Sequence, residues 1–297
     1  MKILIIYFTG TFNTSYLVNK IKERLIKEDN TNEITSFAID IDSKKVDLSF
    51  YELIIFSYPI YAFNMPKIFI KYIKKLKFLP NKKYIIAKQS GEPISFNNSS
   101  SYPLISLIKR NKGTLLNEYH FLMPYNIHFR YPDNFIKELF NYDKKLLEIL
   151  IYELKNNIVT KIKKNLIYSI NSNIFKIQRL GGTINSYLYK IDYSKCIHCN
   201  KCITNCPTHN IFLNKDNKLR FKHNCLMCMR CSFYCPKDAI NIGFLKKWKI
   251  NGAYDLDKIT KDRSLKGDYL INNHKGFYGL FPKKIEKINN LYNKYFN

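Results

Sequence analysis

The chain has 297 residues, 46% of them hydrophobic and 24% charged, a composition that gives room for two folded cores and excludes a disordered chain. Its longest apolar runs, such as Ile3–Phe8 and Leu53–Phe56, are too short to span a bilayer, and the run after Lys2, ended by Thr9-Gly10, has no secretory pattern, so a cytoplasmic protein is expected. The formal net charge of +26 raises nucleic acid or a membrane surface as partner. No recognisable nucleic-acid module accompanies it, and the abundance of Ile, Asn, Lys, Tyr and Phe together is what an A+T-rich genome produces, so a solvated basic surface with neither nucleic acid nor a membrane span is the expectation.

Residues 2–8 form a continuous apolar run rich in β-formers, which predicts a strand buried on both faces of a parallel sheet. Thr9-Gly10-Thr11-Phe12-Asn13-Thr14 follows, then a helix with Leu17, Val18, Ile21 and Leu25 on one face. Strand, small polar loop and helix present backbone N–H groups and a helix N-terminus to an anion, and the hydroxyls here can bond a terminal phosphate. Ile34–Ile39 and Tyr51–Ser57 predict the second and third strands, and residues 66–77 a helix. A fourth strand, Lys83–Lys88, runs into Gln89-Ser90-Gly91. Ser95–Ser101 is polar and expected to be exposed, Leu115–Met123 is the fifth strand, and 134–164 reads as a long amphipathic helix. Residues 166–190, rich in Asn and Ser with Gly181-Gly182, suit a connection between domains, and 282–296 predicts a last helix.

The hexapeptide Thr9–Thr14 resembles the phosphate loop of flavodoxins, Ser/Thr-x-Thr-Gly-Asn-Thr, except that Phe12 stands where that family has its second glycine. If position 12 requires a positive φ, a bulky side chain costs about 1 kcal/mol or more. The segment Tyr58–Pro66 is similar to the second flavin loop of the same proteins. The resemblance implies an FMN held by Thr9, Gly10, Thr11, Asn13 and Thr14 at the phosphate, by Pro59, Tyr61, Ala62, Phe63 and Asn64 beside the ring, and by Ser90 and Gly91. It also implies an α/β fold, a doubly wound five-stranded parallel sheet of order 2-1-3-4-5. An ordinary βα turn and core-packing aromatics are the competing readings of these loops.

Between Cys196 and Pro236 the motif Cys-x-x-Cys-x-x-Cys-x-x-x-Cys-Pro occurs twice, at an offset of 29 residues, and uses all 8 cysteines. This is the spacing of bacterial-type ferredoxins, which hold 4Fe–4S clusters with it. That resemblance implies two clusters, one on Cys196, Cys199, Cys202 and Cys235, the other on Cys225, Cys228, Cys231 and Cys206, in a small α+β module. Zinc sites more often use two Cys-x-x-Cys pairs, and disulfides need an oxidising compartment. His198, His209 and His223 are read as non-ligands. From Ile191 to Leu245 eight basic and three acidic residues leave a formal +5, which two anionic clusters reduce to about +1.

Together these features are similar to bacterial flavodoxin–ferredoxin fusion proteins. The division expected is a flavodoxin-like domain at 1–165, a linker at 166–190, a two-cluster ferredoxin domain at 191–245 and a C-terminal tail of unknown role at 246–297, in which Trp248 packs between domains. The resemblance implies intracellular electron transfer in an anaerobe, with a redox partner protein that could be acidic. No catalytic side-chain set stands out, which favours a carrier over an enzyme. The alternatives are a two-cluster ferredoxin with an FMN-free docking domain, which Phe12 favours, a flavin-dependent oxidoreductase of a small acceptor such as a quinone, and a nucleic-acid-binding cluster protein.

Overall fold

A computed structural model describes the backbone of residues 1–297 and all side chains except those of residues 178–180. Five strands, β1 (Lys2–Tyr7), β2 (Glu33–Ala38), β3 (Leu53–Pro59), β4 (Lys83–Ser90) and β5 (Thr114–Leu122), form one sheet in the order β2-β1-β3-β4-β5. Every pairing is parallel, the expected flavodoxin-like arrangement. Side chains alternate through it: Ile3, Ile5, Leu53, Ile55, Ile85 and Ala87 enter one core, and Leu4, Ile6, Ile54, Phe56, Tyr84 and Ile86 the other. Burial on both faces explains why these strands read as unbroken apolar runs.

The first core is covered by α1 (Asn13–Glu28) and α4 (Asp133–Lys155), the second by α2 (Lys67–Ile73) and α3 (Tyr102–Arg110). The closing helix ends at Lys155, nine residues short of the expected span; Asn156 and Asn157 terminate it, Asn157 with φ 50. Ser95–Ser101 differs from expectation. It is a 3₁₀ turn in which Asn97, Ser99, Ser100 and Ser101 are buried. The three serine hydroxyls donate to the carbonyls of Phe96, Asn97 and Asn98, so the segment satisfies its own polar groups and can be covered.

What covers it is the segment expected to be a plain connection. Residues 166–190 contain two helices, α5 (Leu166–Phe175) and α6 (Gln178–Ser186). Tyr168 packs on Phe96 and Phe175 on Phe63, with ring centroids 5.4 and 4.9 Å apart. The small module that follows holds two antiparallel ribbons, β6 (Tyr189–Ile191) with β9 (Ile240–Ile242) and β7 (Ile211–Leu213) with β8 (Leu219–Phe221). Two short helices, α7 (Lys201–Thr204) and α8 (Arg230–Phe233), complete it.

The chain then returns to the sheet domain. Main-chain bonds join His128 to Trp248 (2.8 Å) and bridge Ile127 with Lys249, and the Arg130 guanidinium donates to the carbonyls of Gly252 and Ala253. Beyond it, α9 (Leu256–Lys261), α10 (Tyr269–Asn272) and α11 (Pro282–Phe296) bury Leu256, Ile259, Leu270 and Ile288 against the α1–α4 face, joined by Phe281 just ahead of α11. Residues 250–297 are therefore an outer layer of the first core. Among the described residues, no helix is long and apolar enough to cross a membrane.

Candidate functional site

The two halves of the cysteine motif adopt one backbone path. Helices α7 and α8 sit 29 residues apart, as do β7 and β9. The left-handed residues keep the same offset: His198 and Met227, Asn200 and Met229, His209 and Asp238, all with φ between 48 and 61. None is glycine, so each turn carries strain of about 1 kcal/mol per such residue, and the repetition marks it as part of the design of the loop. These turns aim N–H groups at sulfur. Asn210 donates to Cys206 Sγ and Ala239 to Cys235 Sγ, both at 3.2 Å, and Met227 donates to Cys225 Sγ at 3.4 Å.

The structure gathers the four cysteines of one quartet around one small space. Cys196, Cys199, Cys202 and Cys235 line one small cavity with Ile191 and Leu219. Of the second set, Cys225 and Cys231 pack on the small apolar cluster of the module together with Cys202 and Cys235 of the first. Burial pushes the Cys202 thiol up to about 11 and Cys225 to about 12, and raises Cys228 and Cys231 as well, each reinforced by neighbouring cysteines. Without iron these groups are neutral, so loading must release protons. Among the described residues, no three His, Cys, Asp or Glu side chains converge closely enough to hold a single metal ion. The histidines have other partners: His198 stacks on Tyr193, His209 faces the Asp42 carboxylate at 3.4 Å, and His223 bonds the Tyr187 hydroxyl.

A cavity of about 1040 Å³ lies between this module and the C-terminal ends of the strands. Its walls include Gly10, Thr11 and Asn13, then Pro59, Tyr61, Ala62, Phe63 and Asn64, then Ser90 and Gly91, and on the opposite side Cys225, Met227 and Trp248. All but two of the residues assigned to a flavin from sequence thus face one space. The exceptions, Thr9 and Thr14, are buried behind it. Thr14 Oγ1 accepts from Gln89 Nε2 at 2.6 Å, whereas Thr9 Oγ1 has no partner. The Tyr61 hydroxyl and Gln89 Oε1, both on the cavity wall, are also buried and unpartnered.

Helix α1 begins at the phosphate-type loop with no side-chain cap and no acidic residue in its first turn, leaving its first N–H groups to attract an anion. Phe12, the position that departs from the flavodoxin pattern, has φ 66, the conformation that favours glycine. Its ring is not idle: the Arg230 guanidinium lies over it at 5.2 Å and Tyr234 meets it edge-on at 5.3 Å. Both partners come from the cysteine module. Arg230 donates to the Gly10 carbonyl at 2.6 Å, to that of Asn205 at 2.9 Å and to that of Thr9, and Tyr234 donates to Thr11 O at 2.9 Å. Sequence reasoning missed this clamp, whose one trace is a basic residue, Lys201 or Arg230, at equivalent places in the repeat.

Glycine is required twice here. A Cβ on Gly10 would stand 2.2 Å from Tyr61 Oη and 3.1 Å from the Cys228 carbonyl, and one on Gly91 would stand 2.2 Å from the Tyr125 ring. At Gly91 the close neighbour is thus the Tyr125 ring. Behind it a polar cluster backs the cavity: Ser90 Oγ is 2.7 Å from His120 Nε2, and Asn97 Nδ2 donates to Ser90 Oγ and to the Glu92 carbonyl. Tyr125 donates to the Glu92 carboxylate. Burial raises Glu92 and holds His120 well below the usual imidazole range, so His120 is neutral.

Residues 190–212 match the family described as 4Fe-4S binding domain. With the strand order of the first sheet, that match decides the architecture. The chain joins a flavodoxin-like domain to a 4Fe–4S ferredoxin module. Such a combination has an electron-transfer role. No curated protein sequence matches the chain. Among solved structures, oxidised flavodoxin 1 from Bacillus cereus is 16% identical, with a TM-score of 0.36, over 50% of this chain and 98% of its own. A flavodoxin from Streptococcus pneumoniae TIGR4 is 14% identical, TM-score 0.34, over 50% and 99%. An apo NADH:FMN oxidoreductase is 14% identical, TM-score 0.32, over 41% and 74%. At these scores the likenesses add nothing to the strand order.

Proposed function

We propose that the protein is a cytoplasmic electron carrier that relays single electrons through two 4Fe–4S clusters, to or from an FMN in the cavity between its two parts. The observation that carries this reading is the cavity wall itself, where the flavin-type loops and Cys225 face the same space. Clusters exchange one electron at a time and FMN one or two, which is the chemistry such a pairing supplies. The domain limits proposed are 1–165 for the sheet domain and 191–245 for the cluster module, with 166–190 joining them and 246–297 returning to the sheet domain.

The residues fit these groups. For the phosphate there are the uncapped N-terminus of α1 and the hydroxyl of Thr11, which lines the cavity and whose oxygen accepts from Asn126 at 3.0 Å. For the ring there are Tyr61, Phe63 and the unpartnered Gln89 carbonyl. Cys196, Cys199, Cys202 and Cys235 hold one cluster, and Cys225, Cys228, Cys231 and Cys206 the other. The N–H donors at Asn210, Ala239 and Met227 set the potentials by stabilising negative charge on sulfur.

A second reading, a ferredoxin whose flavodoxin-like part is a flavin-free docking domain, is favoured by Phe12 and by the engagement of the loop carbonyls with Arg230 and Tyr234. Flavin extracted from anaerobically purified protein separates the two. One FMN retained per chain supports the carrier; clusters with no flavin, even after incubation with excess FMN, support the docking domain.

A further inference from the structure

Helix α5 presents an apolar stripe that none of the described residues covers. At about 100° per residue, Leu166, Ile167, Ile170 and Ile174 fall within one arc of about 100°, and the opposite side carries Tyr168, Ser172 and Phe175. The inner set is engaged: Ser172 exchanges two hydrogen bonds with Asn64, and the two rings pack on Phe96 and Phe63. The outer set is bare. Leu166 is 75% exposed, Ile167 66% and Ile174 62%, and further along the chain Ile177 and Ile184 are exposed as well. Contiguous exposed aliphatic surface of this kind marks an interaction site.

The charge around the stripe is of one sign. From Leu154 to Ile191 there is no aspartate or glutamate, and there are seven lysines and arginines. Lys161, Lys163 and Lys164 lead directly into α5 and are exposed. Lys164 Nζ donates to Ser106 Oγ on α3 at 2.6 Å, and the last turn of α3 carries two more cations, Lys109 and Arg110.

We propose that α5 and α6 seat the protein on the surface of an anionic lipid bilayer, with the Leu/Ile stripe in the acyl boundary and the lysines among the headgroups. An apolar helix face flanked by Asn and Ser, with only basic charges in the chain on either side of it, suits an interfacial helix, and each lysine near an anionic leaflet adds to the attraction. A second copy of this chain would bring two uniformly basic segments together. A protein partner would more commonly meet Tyr, Trp or Arg than a stripe of Leu and Ile. Phe175, Gly181 and Gly182 also line the large cavity, so lipid seating places the rim of that cavity beside the membrane, whether or not it holds a flavin.

The test is sedimentation of the full, cluster-loaded chain with vesicles of phosphatidylcholine alone or mixed equally with phosphatidylglycerol. Binding to the mixed vesicles only is expected, weakened at least tenfold in the double variant Ile170→Glu/Ile174→Glu. The triple variant Lys161→Gln/Lys163→Gln/Lys164→Gln keeps the helix faces and should lose on the order of a hundredfold. Phe50→Glu, which removes an equally exposed apolar residue elsewhere (71%), should bind as the parent does. Cluster absorbance and far-UV dichroism verify each fold. The proposal is overturned if mixed vesicles do not bind the parent, if either α5-region variant binds undiminished, or if the parent is a dimer that Ile170→Glu/Ile174→Glu dissociates. An acidic protein partner with no vesicle binding would also overturn it.

Discussion

Arg230, in the middle of the second cysteine motif, donates its Nε proton to the carbonyl of Gly10 at 2.6 Å, 220 residues away in the flavodoxin-like loop. The same guanidinium reaches Thr9 O and Asn205 O and lies over the ring of Phe12. One side chain thus fixes the ferredoxin module against the phosphate-type loop.

Arg230→Ala should therefore loosen the junction. Charge-assisted hydrogen bonds contribute about 1.5–3 kcal/mol each and are not additive, so a loss of about 2–4 kcal/mol in urea unfolding is expected, with faster proteolysis between the two parts. Arg230→Lys should recover less than half, because an ammonium cannot span three carbonyls with a planar fork. Parent-like stability in the alanine variant would show that the contacts are incidental.

Phe12 sets two effects against each other. Its left-handed backbone costs about 1 kcal/mol, and its ring gains a comparable amount from Arg230 and Tyr234. Phe12→Gly should be close to neutral, and Phe12→Ala, which keeps the strain and loses the ring, should be destabilised by about 1–2 kcal/mol. Thermal unfolding of the pair decides it; alanine more stable than glycine would mean that the backbone is not strained there.

Much of this arrangement is legible in the amino-acid order, and the parts that are not share a cause. The strands announce themselves because both faces are buried, so Ile3–Ile6 and Leu53–Phe56 are apolar without alternation. The cysteine spacing is as direct, since thiolates must surround a cube from short turns. Ser95–Ser101 misleads because hydroxyls bonded to carbonyls three residues back are buried as readily as alkyl groups. The Arg230 clamp and the packing of 250–297 depend on surfaces distant in sequence, and no local period encodes them. At 166–175 the two-sided pattern is present, but the asparagines and serines disguise which side is inward.

Asp143 provides a pH test. It is buried on α4, accepts the Leu122 N–H at 2.9 Å, and burial raises its pKa well above the ordinary 3.8. The unfolded carboxyl ionises above that value while the folded one resists, so its contribution is full below 3.8 and is lost as pH rises toward the folded value. Asp143→Asn, whose amide oxygen can accept the same bond, should match the parent near pH 4 and become the more stable of the two by pH 8. Chemical denaturation at both pH values measures this; a constant difference would mean that the carboxyl is not desolvated.

The crossed cysteine sets predict an unequal lesion. Cys235→Ser should damage the cluster on Cys196, Cys199 and Cys202 and leave its neighbour intact, and Cys206→Ser should do the reverse. Iron content with electron paramagnetic resonance of the reduced protein distinguishes the two centres. Damage confined to the opposite cluster in each variant would reverse the assignment.

Two clusters and a flavin sharing one junction can be counted together by determining iron, acid-labile sulfide and FMN on one oxygen-free preparation. About eight irons and about eight sulfides per chain are expected, with one FMN that survives gel filtration. A colourless protein that contains zinc and no sulfide would contradict this.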